Sequence, residues 1–356
     1  MTCCPVCGGA LPADRCPSCG YDRSADFGRY PTFAPIAPGT EAPPHWRFRG
    51  CPDCGSLRFG LRRSDCAPVC LVCGREFPVP KRRSVPTTGS RVLTAFSAGM
   101  GHWAAVFSDG TVRAGGTNRS GQCDLWDWKD IAALAVGDSH TAGLQEDGSV
   151  RIAGSSIGGR DGVLSWSDIA DIAAGSFFTV GRREDGSVVT AGFHHPNRHQ
   201  IAGWTGITAI AAGDMHVVGL RSDRTVEAVG NGAQGQCNVR RWSDVTAVAA
   251  GWGFTAGLRS NGSVYTAGLG YSAQRIVQTW TGITAIAAGA SHLVGLHADG
   301  TVCAVSSGGG AGCEVKDWTD VQTIFAGGTI TLGLRSDGTV LCTDPVLRAA
   351  LEQERS

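Results

Sequence analysis

The sequence has no excess of either charge: 31 Lys and Arg residues are matched by 31 Asp and Glu. Bulk electrostatic attachment to a polyanion needs a basic surplus, so composition gives no support to a general nucleic-acid binder. No apolar run approaches the roughly 18 residues that a membrane helix needs. The stretch Met1 to Cys7 lacks the charged and apolar regions of a secretory signal, and a cytoplasmic location is the expectation. What the chain has in surplus is glycine, 52 of 356 residues. That is about twice the usual ~7%, which fits a turn-rich all-β chain and argues against a helical one.

The glycines are periodic. Gly99, Gly137, Gly175, Gly213, Gly251, Gly289 and Gly327 each stand 38 residues apart. Trp128, Trp166, Trp204, Trp242, Trp280 and Trp318 keep the same step, as do seven valines from Val112 to Val340. Within each copy the apolar segments are short and rich in Val, Ile, Thr and Ala, so they read as strands. A first strand, such as Ile207 to Ala212, ends at the repeated Gly. A second follows, as in His140 to Leu144, and an Asp-Gly or Asn-Gly hairpin leads to a third at the repeated Val. In the fourth copy the hairpin reads Asp223-Arg224 instead. The run to the Trp leaves room for a short fourth strand. Three or four antiparallel strands form a blade, and one blade cannot bury both faces alone. The expectation is therefore all-β, a seven-bladed β-propeller over residues 91–343, with the Trp packed between blades.

Two motifs carry a family resemblance. G-x-x-H-T-x-G-L-x-x-D-G-S-V-x-x-x-G from Gly137 to Gly154, and N-x-x-G-Q from Asn118 to Gln122, resemble the repeats of the regulator of chromosome condensation family. The strand Ile-Thr-Ala-Ile-Ala-Ala-Gly is similar to bacterial seven-bladed members, including the propeller-type β-lactamase inhibitors. The resemblance covers about 260 of the 356 residues. It implies the propeller fold and, from the inhibitors, a protein-binding face built on the turn after the repeated Gly. It also implies guanine-nucleotide exchange for some members, through a wedge-like insertion that seven copies of equal length leave no place for.

Before the repeats come four C-x2-C pairs. Cys4, Cys7, Cys16 and Cys19 form two Cys-Pro-x-Cys-Gly knuckles separated by eight residues. Cys51, Cys54, Cys70 and Cys73 form two more, with 15 residues between pairs. Each set presents four thiolates to one structural Zn2+, with no open position for catalysis. Such short modules have almost no core, so metal binding supplies their folding energy, roughly 10 to 16 kcal/mol. The expected organisation is a zinc ribbon at 1–22, a proline-rich linker at 23–48 and a second ribbon at 49–80. A basic linker, 81–90, contains Lys81, Arg82 and Arg83. The second set resembles bacterial zinc ribbons, which implies contact with protein or nucleic acid unless the ribbons are folding modules only, and the three basic residues are either a solvated tether or a phosphate contact. Residues 82–90 are expected to supply an outer strand that closes the ring. Asp344 as N-cap and Pro345 at the first helical position predict a short helix over 344–356.

Comparison of the seven copies stands in for a family alignment. The hairpin tips are nearly identical, as turn geometry alone requires. The turns after the repeated Gly diverge, from Met100-Gly101 and Asp138-Ser139 through Ser176-Phe177, Asp214-Met215 and Trp252-Gly253 to Ala290-Ser291 and Gly328-Thr329. Phe177, Met215 and Trp252 are costly in a turn unless buried or used, so they either pack in the central channel or anchor a partner. With Met100, Asp138 and Asp214 they form the candidate partner-binding set. His194, His195 and His199 invite a metal, but no carboxylate or Cys at ligand spacing joins them, and a surface loop is the simpler account. His102, His140, His216 and His292 share one phase and read as structural. No catalytic constellation is visible. The sequence therefore predicts a non-enzymatic binding protein with a macromolecular, most plausibly protein, partner. The alternative is nucleic-acid association through the ribbons and Lys81–Arg83.

Overall fold

The computed structural model describes residues 91–354 apart from 156–159, 193–195, 269 and 309–311, together with four short strands nearer the N-terminus. The chain divides into two compact units, Met1–Thr87 and Thr88–Ser356. In the first, Thr2–Cys3 pairs antiparallel with Ala10–Leu11, and Phe59–Leu61 with Pro68–Cys70. Of the predicted zinc ligands, Cys4, Cys7, Cys16, Cys19, Cys51, Cys54 and Cys73 lie outside the described residues, and Cys70 is described only as a backbone partner of Phe59. Lys81–Arg83 and the expected closing strand also lie outside them.

The second unit is seven antiparallel sheets of three strands each. The first comprises Leu93–Ala98, His102–Phe107 and Val112–Gly116, and the last Val321–Gly327, Ile330–Arg335 and Val340–Cys342. First strands line the central channel, so they are the inner ones. No fourth strand forms among the described residues. Instead, the run to each Trp closes one tight turn on itself: the Trp128 N–H donates to the Leu125 carbonyl at 3.1 Å and the Trp166 N–H to that of Val163 at 3.0 Å. A backbone bonded within its own turn is not offered to the outer strand.

Two local devices recur. Every inner strand carries a β-bulge after its first residue, as between Ile207 and Ala209. The hydroxyl of the bulged Thr208 donates to the Leu220 carbonyl of the middle strand at 3.2 Å, and Thr284 does the same to Leu296 at 3.0 Å. Bulges increase local twist, which suits blades arranged around an axis. At the hairpin tips only the second residue takes positive φ, 80° at Gly148 and 83° at Gly300. The aspartate before it stays at negative φ and caps the turn, as Asp147 Oδ1 does by accepting from the Ser149 N–H at 2.9 Å. The tip is thus a turn followed by a left-handed glycine, with no two-residue pair at positive φ. Arg224 occupies that left-handed position in blade 4 at φ 68°.

The seams between blades explain the repeats. Each Trp lies on a glycine of the next blade's middle strand. A β-carbon on Gly219 would stand 2.8 Å from the Trp204 ring, and one on Gly257 2.9 Å from that of Trp242. Blade 1 receives no such Trp, and Ala105 replaces the glycine there, fully buried.

A second seam pair is set one layer nearer the rim. His102 Nε2 lies 2.9 Å from Thr141 Oγ1, His140 Nε2 3.0 Å from Thr179 Oγ1, and His216 and His292 each 2.9 Å from Thr255 and Thr331. Where the histidine is replaced, the threonine is too. Phe178 and Val217 share one apolar core cluster, Phe254 and Leu293 another, and Ile330 and Trp103 pack on a third. The four histidines are buried. Burial pushes the His102 and His216 imidazoles down to about 4 and lowers His292, so they are neutral in the fold.

Blade 7 meets blade 1 through apolar groups. The C-terminal helix, Pro345–Gln353, is capped by Asp344, whose Oδ1 accepts from the Val346 and Leu347 N–H groups at 2.9 Å each. Its Leu347 and Leu351 are buried with Leu93, Phe107, Leu332 and Leu334, in the seam that lacks the repeated linker Trp among the described residues. Glu354 then pairs with Arg91 at 3.3 Å, just before blade 1, and with Arg113 at 2.9 Å, in the outer strand of blade 1. Ring closure is therefore a helix-and-core seam among the described residues.

Candidate functional site

The turn after each repeated Gly and the loop after each outer strand lie on one rim, opposite the hairpin tips. Backbone bonds hold them together: the Thr117 N–H donates to the Gly101 carbonyl at 2.7 Å, Asn231 to Met215 at 2.9 Å and Ser307 to Ser291 at 3.0 Å. The repeated Gly sets how tightly these turns converge. A β-carbon on Gly175 would meet the Gly213 carbonyl oxygen at 2.6 Å, and one on Gly137 the Gly175 oxygen at 2.5 Å. Glycine is required at that step because two backbones and a seam ring share the space.

One residue further on, the turns bond to each other around the channel mouth. The Asp138 N–H donates to the Ser176 carbonyl at 3.1 Å and Ser176 to Asp214 at 3.2 Å. On the other side Trp252 donates to Ala290 at 2.9 Å and Ala290 to Gly328 at 2.7 Å. The mouth opens into a cavity of about 210 Å³ lined by the inner strands.

The candidate set falls in two positions. Met100, Asp138, Asp214 and Trp252 line the mouth itself. Phe177 and Met215 stand one residue outward in their turns. Met100 is 47% exposed, Trp252 47% and Phe177 53%, values that rule out their serving only as channel packing. Met215, Asp138 and Asp214 are half-buried. The rim thus presents large apolar groups on blades 1, 3, 4 and 5 and carboxylates on blades 2 and 4, while Ala290, Ser291, Gly328 and Thr329 keep blades 6 and 7 low. Around Trp252 the support is specific: a β-carbon on Gly253 would run into the Gln234 side chain, so the neighbouring glycine makes room for it.

Other candidates resolve differently. Pro196–Gly203 forms a 3-10 helix with His199 exposed, while His194 and His195 lie outside the described residues. Cys123, Cys237 and Cys313 share one repeat phase. The Cys123 thiol contacts the Thr117 carbonyl and the Cys237 thiol that of Asn231, each at 3.5 Å. Burial raises all five described thiols, Cys303 and Cys342 to about 11, so they are protonated and poor nucleophiles. Trp126, 88% exposed, and Leu164, 63% exposed, occupy one phase on successive linkers, and the sequence comparison, confined to turns, missed them. Among the described residues no helix is long and apolar enough to cross a membrane.

Comparisons with known proteins agree with this geometry. A model of the regulator of chromosome condensation (RCC1) repeat matches residues 245–274, from the blade 5 inner strand into the following linker. No curated protein matches the sequence. Among solved structures, the ectodomain of the Physcomitrella patens receptor kinase CR4 is similar with a TM-score of 0.58 at 18% identity, over 71% of this chain and 73% of that one. Human WBSCR16 gives 0.54 at 14% identity, over 77% and 91%. Prp20p from Saccharomyces cerevisiae, studied for its binding to Gsp1p and histones, gives 0.50 at 16% identity, over 67% and 81%. At these identities the likeness shows the fold. The second unit is thus a β-propeller of seven three-stranded blades built from 38-residue repeats, within which residues 245–274 are similar to the RCC1 repeat.

Proposed function

We propose that this protein is a non-enzymatic binding protein whose propeller rim holds a protein partner. The observation that carries this reading is the exposure of Phe177, Trp252 and Met100 in turns around the channel mouth. Exposed aromatic and methionine side chains on a rigid, backbone-bonded frame are the groups that dominate binding energy at protein interfaces. That Prp20p, similar in fold, is described with macromolecular partners supports the same class of role. Guanine-nucleotide exchange is left out of the proposal, since equal-length copies carry no wedge. The two cysteine sets, Cys4, Cys7, Cys16, Cys19 and Cys51, Cys54, Cys70, Cys73, are proposed to hold one structural Zn2+ each and to make the ribbons recruitment modules.

Affinity capture from the native cell extract tests this, comparing wild type with a Phe177→Ala, Met215→Ala, Trp252→Ala variant of equal melting temperature. Loss of a protein partner only in the variant supports the rim. A partner retained by both, or nucleic acid retained by both and released by salt, moves the function to the first unit. Elemental analysis is expected to find two zinc per chain, and one after Cys4→Ser with Cys16→Ser.

A further inference from the structure

The rim also indicates what kind of group its partner presents. This inference rests on the binding reading above and adds the chemistry of the contact. Asp138 and Asp214 sit two blades apart in the ring of turns, and both line the channel mouth. Among the residues of the seven turns there is no Lys, Arg or His to answer them. Their neighbours around the mouth are apolar or small: Met100, Ser176, Trp252 and Ala290. Some other carboxylates of the propeller pair with arginines. Asp127 meets Arg151 at 2.6 Å, Asp109 meets Arg91 at 2.7 Å, and Glu354 meets both Arg91 and Arg113. Among the described residues, Arg119 and Arg275 stand exposed on the outer loops of this rim and do not line the mouth.

Two half-buried carboxylates framed by exposed Met100, Phe177 and Trp252 impose a particular complement. An apolar partner surface alone would desolvate the carboxylates without compensation, which is costly. An acidic one would be repelled. A long cationic side chain satisfies both demands, because its aliphatic stem covers apolar surface while its head reaches a carboxylate, and its charge also favours the aromatic face of Trp252. A cavity of about 210 Å³ admits such a side chain but no folded element. We propose that the rim takes a protruding loop of a protein partner that inserts a Lys or Arg side chain into the channel mouth between Asp138 and Asp214, with apolar residues flanking it on Phe177, Met215 and Trp252.

The probe is a phage-displayed library of disulfide-closed nonapeptides selected on the full chain, with counter-selection on the Phe177→Ala, Trp252→Ala variant. The expected peptides carry Lys or Arg flanked by apolar residues, and lose at least tenfold in affinity on Asp138→Asn with Asp214→Asn. They bind normally to a charge-matched control, Glu314→Gln with Asp317→Asn, which leaves the seven turns at the channel mouth untouched. Selected peptides without a cationic preference, or with unchanged affinity for the Asn variant, overturn the inference while leaving the rim reading intact. Failure to enrich any peptide that distinguishes wild type from the Ala variant overturns both. Melting temperatures equal to wild type establish that each variant is folded.

Discussion

His216 Nε2 lies 2.9 Å from Thr255 Oγ1 across the seam between blades 4 and 5, and the threonine proton is already committed. Thr255 Oγ1 donates to the Gln236 carbonyl at 2.8 Å, as Thr141 does to Gln122 at 2.9 Å. The threonine oxygen therefore accepts, and the histidine is the neutral form with its proton on Nε2. One seam thus has a relay from ring to hydroxyl to carbonyl, with each donor used once.

Thr255→Val removes the acceptor for His216 and the donor for Gln236 together. The expected loss is about 1 to 3 kcal/mol, because two buried polar groups are left unpaired. His216→Phe with Thr255→Leu recreates the apolar pair found at Phe254 and Leu293, and is expected to lose less than the sum of the two single changes. Denaturant unfolding of the four proteins measures the coupling, and additivity would show that the pair is not a unit.

The same histidines set an acid limit. In the unfolded chain they protonate near 6.5, but in the fold His102 and His216 do so only at about 4, through burial. Between these values the unfolded state binds more protons, so stability is complete above about 6.5 and declines as pH falls toward 4. Thermal melts of the propeller from pH 7.5 to 4.5 are expected to drop in this window. The drop is expected to be shallower in the double variant His216→Phe, Thr255→Leu.

Trp204 against Gly219 makes the repeated glycines testable. Gly219→Ala places a methyl group 2.8 Å from the indole and is expected to cost about 1 to 3 kcal/mol. Ala105 shows that alanine itself suits this strand position where no Trp arrives, so the cost is steric. Gly219→Ala with Trp204→Leu is expected to recover part of it in a melting experiment.

Among the described residues, ring closure rests on the C-terminal helix. Leu351→Ala, at a fully buried site, is expected to cost about 2 to 5 kcal/mol, and Asp344→Ala, at the cap, about 1. Hydrogen exchange is expected to rise first in Val340–Cys342, which the helix packs against, and in Leu93–Ala98, whose Leu93 shares its core. Uniform exchange across all blades would contradict a helix-latched seam.

Much of this was legible in the repeat. The inner, middle and outer strands, the left-handed hairpin glycines and the seam Trp follow from phase, because each obeys local strand and turn geometry. Of the three or four strands that the spacing allows, three form among the described residues, since the linker turn uses its own backbone groups. The pairing of His216 with Thr255 was present in the sequence as two phases that change together, Phe254 with Leu293 and Ile330 with Trp103, yet a phase taken alone shows only a conserved-looking histidine. Ring closure joins Leu351 to Leu93, and nothing local in either segment encodes that contact. At the rim, phase separated Met100 and Trp252 from the structural turns, but only the fold shows that Met215 is half-buried.

The most direct test of the binding rim places a photo-crosslinking phenylalanine analogue at Phe177, and in a second protein at Asp299 on the opposite hairpin tips, before irradiation in native extract. The rim account predicts a discrete protein adduct from position 177 that is absent from position 299 and lost on Trp252→Ala. Equal adducts from both positions, or none from 177 while 299 reacts, would contradict it.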